Sequence, residues 1–311
     1  MKRFLLIVSS LLCFFVSLQA NLTDIAVLNQ SGELKTFQGY DALKQAYEAA
    51  NEGDIITLSS GVFDLPGNWG KGITIRGVGM MPGENPTIIQ PYTMQLSNYT
   101  PTITFEGILF DKEISIYGSA AANLNFYKCW ILGLSDVTTS SASINFMHCY
   151  LNKGFLNQSN NIKLINCYVN DITGGSSSTY ENCVIDGQYG RGIYSNCIIT
   201  TDQNYSALES YYTFTNCVSN KDIFSLSTAL STNNKYLPEV TDFFKEGSQT
   251  YELKDEYATT LLGNDGTQVG MHGGSAPFSK YPTGLRITKF EAAKETSSDG
   301  KLPVEISVEL K

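Results

Sequence analysis

The sequence has few cations, few histidines and no long apolar run beyond its first residues. Its 21 Lys plus Arg stand against 30 Asp plus Glu, and it contains two His. An acidic chain argues against nucleic acid or an anionic membrane as a partner, because both require a cationic protein surface. It also argues against unaided binding of acidic polysaccharides, unless a divalent cation bridges the like charges.

The one long apolar run, Phe4 to Leu18, follows Lys2 and Arg3 and precedes the small residue Ala20. A charged start, a short apolar stretch and a small-residue exit predict a secretory signal peptide over residues 1–20, cleaved near Ala20. The run is too short for a comfortable membrane span, and no later segment is long enough. We therefore expect a secreted, periplasmic or cell-surface protein with no membrane span, whose mature net charge is −11, from 19 cations and 30 acids.

The chain also lacks the short motifs of several enzyme classes. It has no C-x-x-C pair and no Cys/His grouping at zinc spacing. It has no nucleophile elbow, and Gly77-Val-Gly79 opens no helix, which argues against a dinucleotide site. The sequence therefore indicates the fold more clearly than it indicates any catalytic chemistry.

An internal repeat is centred on the cysteines that follow the predicted signal peptide. Each cysteine lies in a segment where apolar residues alternate with others before and after one interruption, as in Ile144-Asn-Phe-Met-His148-Cys149-Tyr-Leu151. Residues two apart share one face of a strand, and the residue just before each cysteine breaks the alternation. That residue is most often Asn, which tolerates a left-handed backbone at a sharp corner. The repeat positions are Cys129, Cys149, Cys167, Cys183, Cys197 and Cys217, with Asn166, Asn182, Asn196 and Asn216 at four of the corners.

Stacked repeats of strand, one-residue corner and strand predict an all-β, right-handed parallel β-helix, that is, a single-stranded solenoid. The cysteines then form an inward column and the asparagines a hydrogen-bonded ladder at the corner. A disulfide framework is the alternative for a secreted chain with six cysteines. Ile108 fills the cysteine slot of an earlier repeat, which favours buried free thiols.

The two ends of the chain differ from the repeats. Residues 40–53 predict an amphipathic capping helix with Asp41 as N-cap, within an N-terminal cap of about residues 21–53. The β-helix, including this cap, is expected over residues 21–282, with a closing segment of about residues 240–282. Residues 283–311 predict a β-hairpin tail, in which two alternating strands, 285–290 and 304–310, flank Asp299-Gly300.

The N-terminal pattern resembles a known superfamily. Gly53-Asp-Ile-Ile-Thr-Leu58, Gly61-Val-Phe63 and Ile73-Thr-Ile-Arg-Gly77 are similar to the entry of the pectate-lyase-like right-handed β-helix superfamily, and the resemblance extends over about residues 40 to 220. The stretch 266–278 resembles the closing segment of secreted β-helix proteins from Bacteroidetes, which are often linked to glycan use.

The resemblance implies one candidate chemistry. Lyases on this fold bind uronate chains through calcium held by carboxylates, and a Lys or Arg removes the C5 proton. Arg191 and Lys153 are then the candidate bases, with Asp186 and Asp202 as calcium ligands. The alternative is that all four are solvated turn residues. The Asp pair, Gly-His-Gly and Arg-x-Lys signatures of the related hydrolases are absent.

The residues directly after the cysteines point outward if the cysteines point inward, and they are apolar. They begin with Trp130, Tyr150 and Tyr168, and Tyr127 lies across the corner. An apolar outer stripe requires a cover. The chain itself provides one alternative, through Phe224, Leu226, Phe243, Phe244 or the hairpin tail; a platform for sugar rings or a protein-docking face is the other.

Three functions follow from these features. The leading hypothesis is a non-catalytic secreted protein that binds polysaccharide or another surface ligand through Trp130, Tyr150, Tyr168 and Tyr127, without a cofactor. The second is a calcium-dependent uronate lyase. The third is a structural or adhesive module with a protein partner at the hairpin tail.

Overall fold

The computed structural model describes residues 24–90, 93–96, 102–118, 122–138, 142–156, 161–174, 178–187, 190–200, 212–225, 230–283, 285–292 and 304–310. The chain is nearly all β structure and forms a parallel β-solenoid of about 7 turns, which confirms the predicted fold class. The predicted signal peptide lies outside the described residues. None of the helices in the described ranges is long and apolar enough to cross a membrane.

One side of the solenoid is a 12-stranded sheet, here called the first sheet. Its strands pair in parallel and in register, except at the N-terminal edge, where Ile25–Gln30 pairs antiparallel with both of its neighbours. In order across the sheet the strands are Glu33–Gln38, Ile25–Gln30, Ile55–Leu58, Ile73–Arg76, Thr102–Glu106, Asn123–Tyr127, Ser143–Met147, Asn161–Ile165, Ser178–Glu181, Gly192–Ser195, Tyr212–Thr215 and Leu230–Thr232.

The opposite side, here called the second sheet, has ten strands in its main path. They are Gly61–Asp64, Thr87–Gln90, Ile108–Tyr117, Trp130–Thr138, Tyr150–Leu151, Tyr168–Asn170, Val184–Asp186, Ile198–Ile199, Val218–Ser219 and Lys235–Tyr236. A narrow third face continues from the two longest of these strands and adds Asn68–Trp69, Thr93–Leu96, Gly154–Leu156 and Ile172–Gly174. Among the described residues no strand of this face follows 174, where the repeats of the sequence also shorten.

In the coils of the cysteine repeat, a single left-handed residue joins the first-sheet strand to the second sheet, as the repeat predicts. The φ angles at Asn166, Asn182, Asn196 and Asn216 lie between 49° and 54°. Lys128 and His148 adopt the same conformation at the corners where asparagine is missing, and Gly107 adopts it one coil earlier. Asn and Gly reach this region at low cost, which explains the composition of the corners.

The inward column of thiols is also confirmed. All six cysteines of the repeat are buried and free. The backbone N–H of Cys129 donates to Sγ of Cys149 at 3.5 Å, and that of Cys149 to Sγ of Cys167 at 3.4 Å. The residues three before the cysteines stack in a parallel interior column, in which the rings of Phe126 and Phe146 lie 5.1 Å apart. These columns fill the solenoid with interlocked apolar groups.

The N-terminal cap contains a helix that is shorter than predicted. It spans Ala42–Ala49, and the Asp41 side chain makes no capping hydrogen bond. The backbone N–H of Asn51 donates to the Asp54 carboxylate at 2.7 Å, so the chain turns toward the next strand instead of extending the helix to residue 53. The antiparallel hairpin of residues 25–38 beside the helix was not predicted from the sequence.

Two further elements follow the last coil. A one-turn helix spans Asp255–Ala258. The predicted tail is confirmed as an antiparallel pair of strands, Leu285–Ala292 and Val304–Leu310. Its turn lies outside the described residues, and a protein partner at this tail stays a prediction.

The closing segment, residues 240–282, packs on the outer surface of the second sheet. Phe243 is fully buried there, and Phe244 is half-buried against the same cluster, as one sequence alternative expected. Phe224 packs on the solenoid core instead, and Leu226 lies outside the described residues. The stripe is therefore covered by the chain. The packed side chains are Val240, Phe243, Leu253, Leu261, Val269, Met271 and Phe278 against Tyr150, Tyr168, Val184, Ile198 and Val218.

The corner side chains fasten the closing segment to the solenoid. The Asn166 and Asn196 amides bond this segment and not each other, so the predicted asparagine ladder is wrong at these corners. The Asn166 amide donates to the carbonyl oxygens of Met271 and Gly273, each at 2.8 Å. The other corners make similar bonds. Asn196 donates to Asn264 at 3.0 Å. His148 bonds the Ala276 carbonyl at 3.0 Å, and Lys128 donates to Thr283 at 3.1 Å. The segment thus runs along the column of corner residues, from late coils back to early ones.

Candidate ligand-binding cleft

A cavity of about 530 Å³ lies where the closing segment meets the aromatic part of the stripe. Pockets for small organic ligands commonly measure about 300–1,000 Å³. The floor of this cleft comes from the second sheet, and its walls come from the loop before Thr87–Gln90 and from the closing segment. The lining residues are Met81, Pro82, Trp130, Tyr150, Asn152, Tyr168, Asn170, Ser248, Gln249 and Tyr251.

The floor follows from strand alternation. Trp130, Tyr150 and Tyr168 stand at equal register in three neighbouring coils. Side chains alternate between the two faces of a strand, so the next residue points inward and the one after it points outward again. In the coils of Tyr150 and Tyr168 those outward positions are occupied by Asn152 and Asn170, which line the cleft beside the rings.

The aromatic rings stack on one another. The Trp130 and Tyr150 centroids lie 4.8 Å apart with 20° between the ring planes, and the Tyr168 and Tyr251 centroids lie 4.0 Å apart with 12° between the planes. Tyr150 and Tyr168 are 2% and 6% exposed, whereas Trp130 is half-buried at the end of the stack. The aromatic residues of the stripe therefore do not form an open platform. A ligand in the cavity would contact the ring edges and the Trp130 indole.

Tyr251 forms the far wall in an unfavourable backbone conformation. Its φ is 54°, a left-handed geometry that costs about 1–2 kcal/mol for a residue with a Cβ. Neighbouring bonds hold this turn: the Tyr150 hydroxyl donates to the Gln249 carbonyl at 2.8 Å, and the His272 ring bonds the Thr250 carbonyl at 2.7 Å. Such strain persists only where the surroundings over-determine it, and it often accompanies functional sites.

A carboxylate lies at one end of the ring stack. The Tyr168 hydroxyl donates to Asp186 at 3.2 Å, and the other Asp186 oxygen accepts from Thr200 at 3.3 Å. Burial, with added effects of Tyr251 and Asp186, raises the pKa of the Tyr168 phenol well above its ordinary value. Burial likewise raises the pKa of Tyr150. Both phenols therefore remain protonated donors at neutral pH.

The described lyase residues expected from the sequence do not line the cleft. Lys153 and Arg191 are both exposed, and neither lines the cleft. Asp186 is half-buried behind Tyr168, and Asp202 lies outside the described residues. Within the described ranges no group of three or more His, Cys, Asp or Glu side chains is placed to hold a metal ion. A calcium site at Asp186 and Asp202 stays a prediction.

Sequence reasoning found part of this cleft and missed part. Trp130, Tyr150 and Tyr168 were selected, and all three line it. Tyr127 was selected with them but lies in the first sheet and is not among the lining residues. Asn152 was missed, although its outward position follows from the same alternation. Tyr251 was missed because no local pattern places the closing segment against the sheet.

No protein-family model matches the chain, and neither a curated protein nor a solved structure matches it. The geometry of the cleft therefore carries the functional argument.

Proposed function

We propose that this protein acts outside the cytoplasm and binds a saccharide, without turning it over, in the cleft beside Trp130. The observation that carries the proposal is the pairing of an aromatic edge with two in-register amides, Asn152 and Asn170, inside a preformed cavity. Expected secretion, from the sequence of residues 1–20, supports exposure to extracellular glycans. A parallel β-solenoid is compatible with such a role.

The chemistry of the floor suits a polyhydroxylated ring. Adjacent coils lie about 4.8 Å apart, so Asn152 and Asn170 offer two amides at the spacing of neighbouring coils. Each side-chain amide provides two donated hydrogens and one acceptor oxygen, which complements hydroxyls that both donate and accept. The Trp130 indole supplies apolar contact and one further N–H donor.

The lining supports binding in preference to catalysis. Among the described residues that line it, the titratable side chains are tyrosines, and none is Asp, Glu, His, Lys or Arg. General acid–base chemistry requires a group whose pKa lies near the working pH and within hydrogen-bond reach of the reacting atom. The raised phenol pKa values of Tyr150 and Tyr168 move these groups away from that condition.

The proposal is tested by calorimetric titration of the mature protein with a panel of oligosaccharides. Asn152→Ala and Asn170→Ala are expected to weaken the affinity for whichever oligosaccharide binds. Each variant loses hydrogen bonds that contribute about 0.5–1.5 kcal/mol, or roughly two- to tenfold in Kd. Asn125→Ala is the matched control, because Asn125 is a half-buried strand residue of the first sheet. Absence of binding across the panel, or equal loss in the control, overturns the proposal.

A further inference from the structure

We propose that the cleft selects an uncharged saccharide and excludes uronates and other acidic sugars. This inference rests on the proposed function and specifies its ligand class. It is the reverse of the ligand expected for a calcium-dependent lyase.

The polar side chains that line the cavity among the described residues are uncharged, namely Asn152, Asn170, Gln249, Ser248 and the tyrosines. A carboxylate that enters such a cavity loses its hydration and meets no cation among these lining residues. Burial of an unpaired charge costs several kcal/mol, whereas a hydroxyl exchanges water for an amide at little cost.

A fixed negative charge lies behind the ring stack. The Tyr168 O–H is directed at Asp186, so this hydroxyl is engaged by a resident carboxylate before any ligand arrives. Burial, with an added effect of the Asp186 charge, raises the pKa of Tyr251 on the opposite wall. A second carboxylate placed among these groups would be repelled, and the partly buried setting strengthens that repulsion relative to water.

Neither Lys153 nor Lys280 lines the cleft. Lys153 follows Asn152 but is exposed at the turn into the third face. Lys280 lies near the Met81–Pro82 wall and forms an ion pair with Glu84 at 2.7 Å. The walls therefore hold no unpaired lysine directed at the cavity among the described residues.

The test compares hexose oligomers with counterparts of equal length in which C6 is a carboxylate. Wild-type protein is expected to bind the neutral oligomer at least about tenfold more tightly, which corresponds to about 1.4 kcal/mol. The affinity for the neutral oligomer should not change between low and physiological salt, because no ion pair is formed. Asp186→Asn keeps the shape of the side chain. It should reduce the preference for the neutral oligomer by improving the affinity for the acidic oligomer alone.

The outcomes separate this inference from the function on which it rests. Equal or tighter binding of the acidic oligomer overturns the charge selection and leaves saccharide binding intact. An unchanged preference in Asp186→Asn overturns the role of Asp186. Failure of both oligomer series to bind contradicts the proposed function itself.

Discussion

The side-chain amide of Asn166 donates a hydrogen bond of 2.8 Å to the carbonyl oxygen of Met271, a residue 105 positions further along the chain. The same amide donates to Gly273. Asn166 therefore has two roles: its backbone turns the coil in a left-handed conformation, and its side chain fastens the segment that covers the outer stripe.

The first prediction separates these two roles. Asn166→Gly keeps the left-handed corner without steric cost but removes both side-chain hydrogen bonds. The buried Gly273 carbonyl oxygen then loses its donor, while the Met271 carbonyl oxygen keeps the Phe278 N–H at 2.9 Å. We expect a loss of about 1–3 kcal/mol in the free energy of unfolding, measured by urea denaturation. Asn216→Gly is the control, because its corner has the same φ and the structure shows no side-chain hydrogen bond for it in the described part of the chain. Equal losses in both variants would mean that the hydrogen bonds from Asn166 to the closing segment contribute nothing to the free energy of unfolding.

The second prediction concerns His148. Its Nε2 bonds the Ala276 carbonyl at 3.0 Å, and its Nδ1 accepts from the Ser279 N–H at 3.4 Å, an arrangement that requires the neutral ring. Burial is the main cause that lowers the pKa of His148 below its ordinary 6.5. The stabilisation is therefore fully present above about pH 6.5 and is lost as the pH falls through the lower folded pKa.

Thermal unfolding at a series of pH values from about 7.5 down to 5 tests whether stability is lost on acidification. The melting temperature of the wild type should fall on acidification more than that of His148→Asn, which places the usual corner residue at this position and does not titrate in the range. If the melting temperatures of the two proteins fall in parallel with pH, the loss does not come from His148, because the carboxylates titrate in both proteins.

Much of the solenoid could be predicted from the sequence because its determinants are local. The alternation around Cys149 fixes which side chains point inward, and Asn166 marks the left-handed corner three coils after Gly107 does. Both signals lie within a few residues of the feature that they determine.

The cover and half of the cleft could not be predicted in the same way. Residues around Phe243 and Met271 have no strand or helix period, and their position depends on contacts with coils far earlier in the chain. The strained φ of Tyr251 is imposed by those contacts and opposes local preference. The apolar residue Tyr168 indicated that a cover exists but not which segment forms it.

The third prediction concerns the thiol column. Burial raises the pKa of Cys129, Cys167 and Cys197 well above the ordinary thiol value, and the thiolate is the reactive form. All six thiols are also buried, so protein lacking residues 1–20 should show no reaction with a thiol reagent when folded and six reactive thiols when unfolded. Fast labelling of the folded protein, or fewer than six thiols after unfolding without reductant, would contradict the free, buried column.

The fourth prediction concerns the chemistry of one thiol. Cys149 donates to carbonyl oxygens of Phe126 and Met147 at 3.2 and 3.3 Å. Cys149→Ser keeps a donor but places a more polar group among apolar neighbours, at a cost of about 1–3 kcal/mol. We expect Cys149→Val to be the milder change, because Ile108 fills the same slot. Denaturation midpoints decide the order, and a more stable serine variant would contradict a dry interior.

The most direct test of the central claim is tryptophan fluorescence during saccharide titration. The chain has two tryptophans: Trp69 is fully buried beneath the capping helix, and Trp130 borders the cleft. A bound neutral oligosaccharide should shift the emission of the wild type in a saturable way and leave Trp130→Phe, in which Trp69 alone emits, unchanged. An equal shift in Trp130→Phe, or none in the wild type despite calorimetric binding, would place the ligand elsewhere and contradict this account.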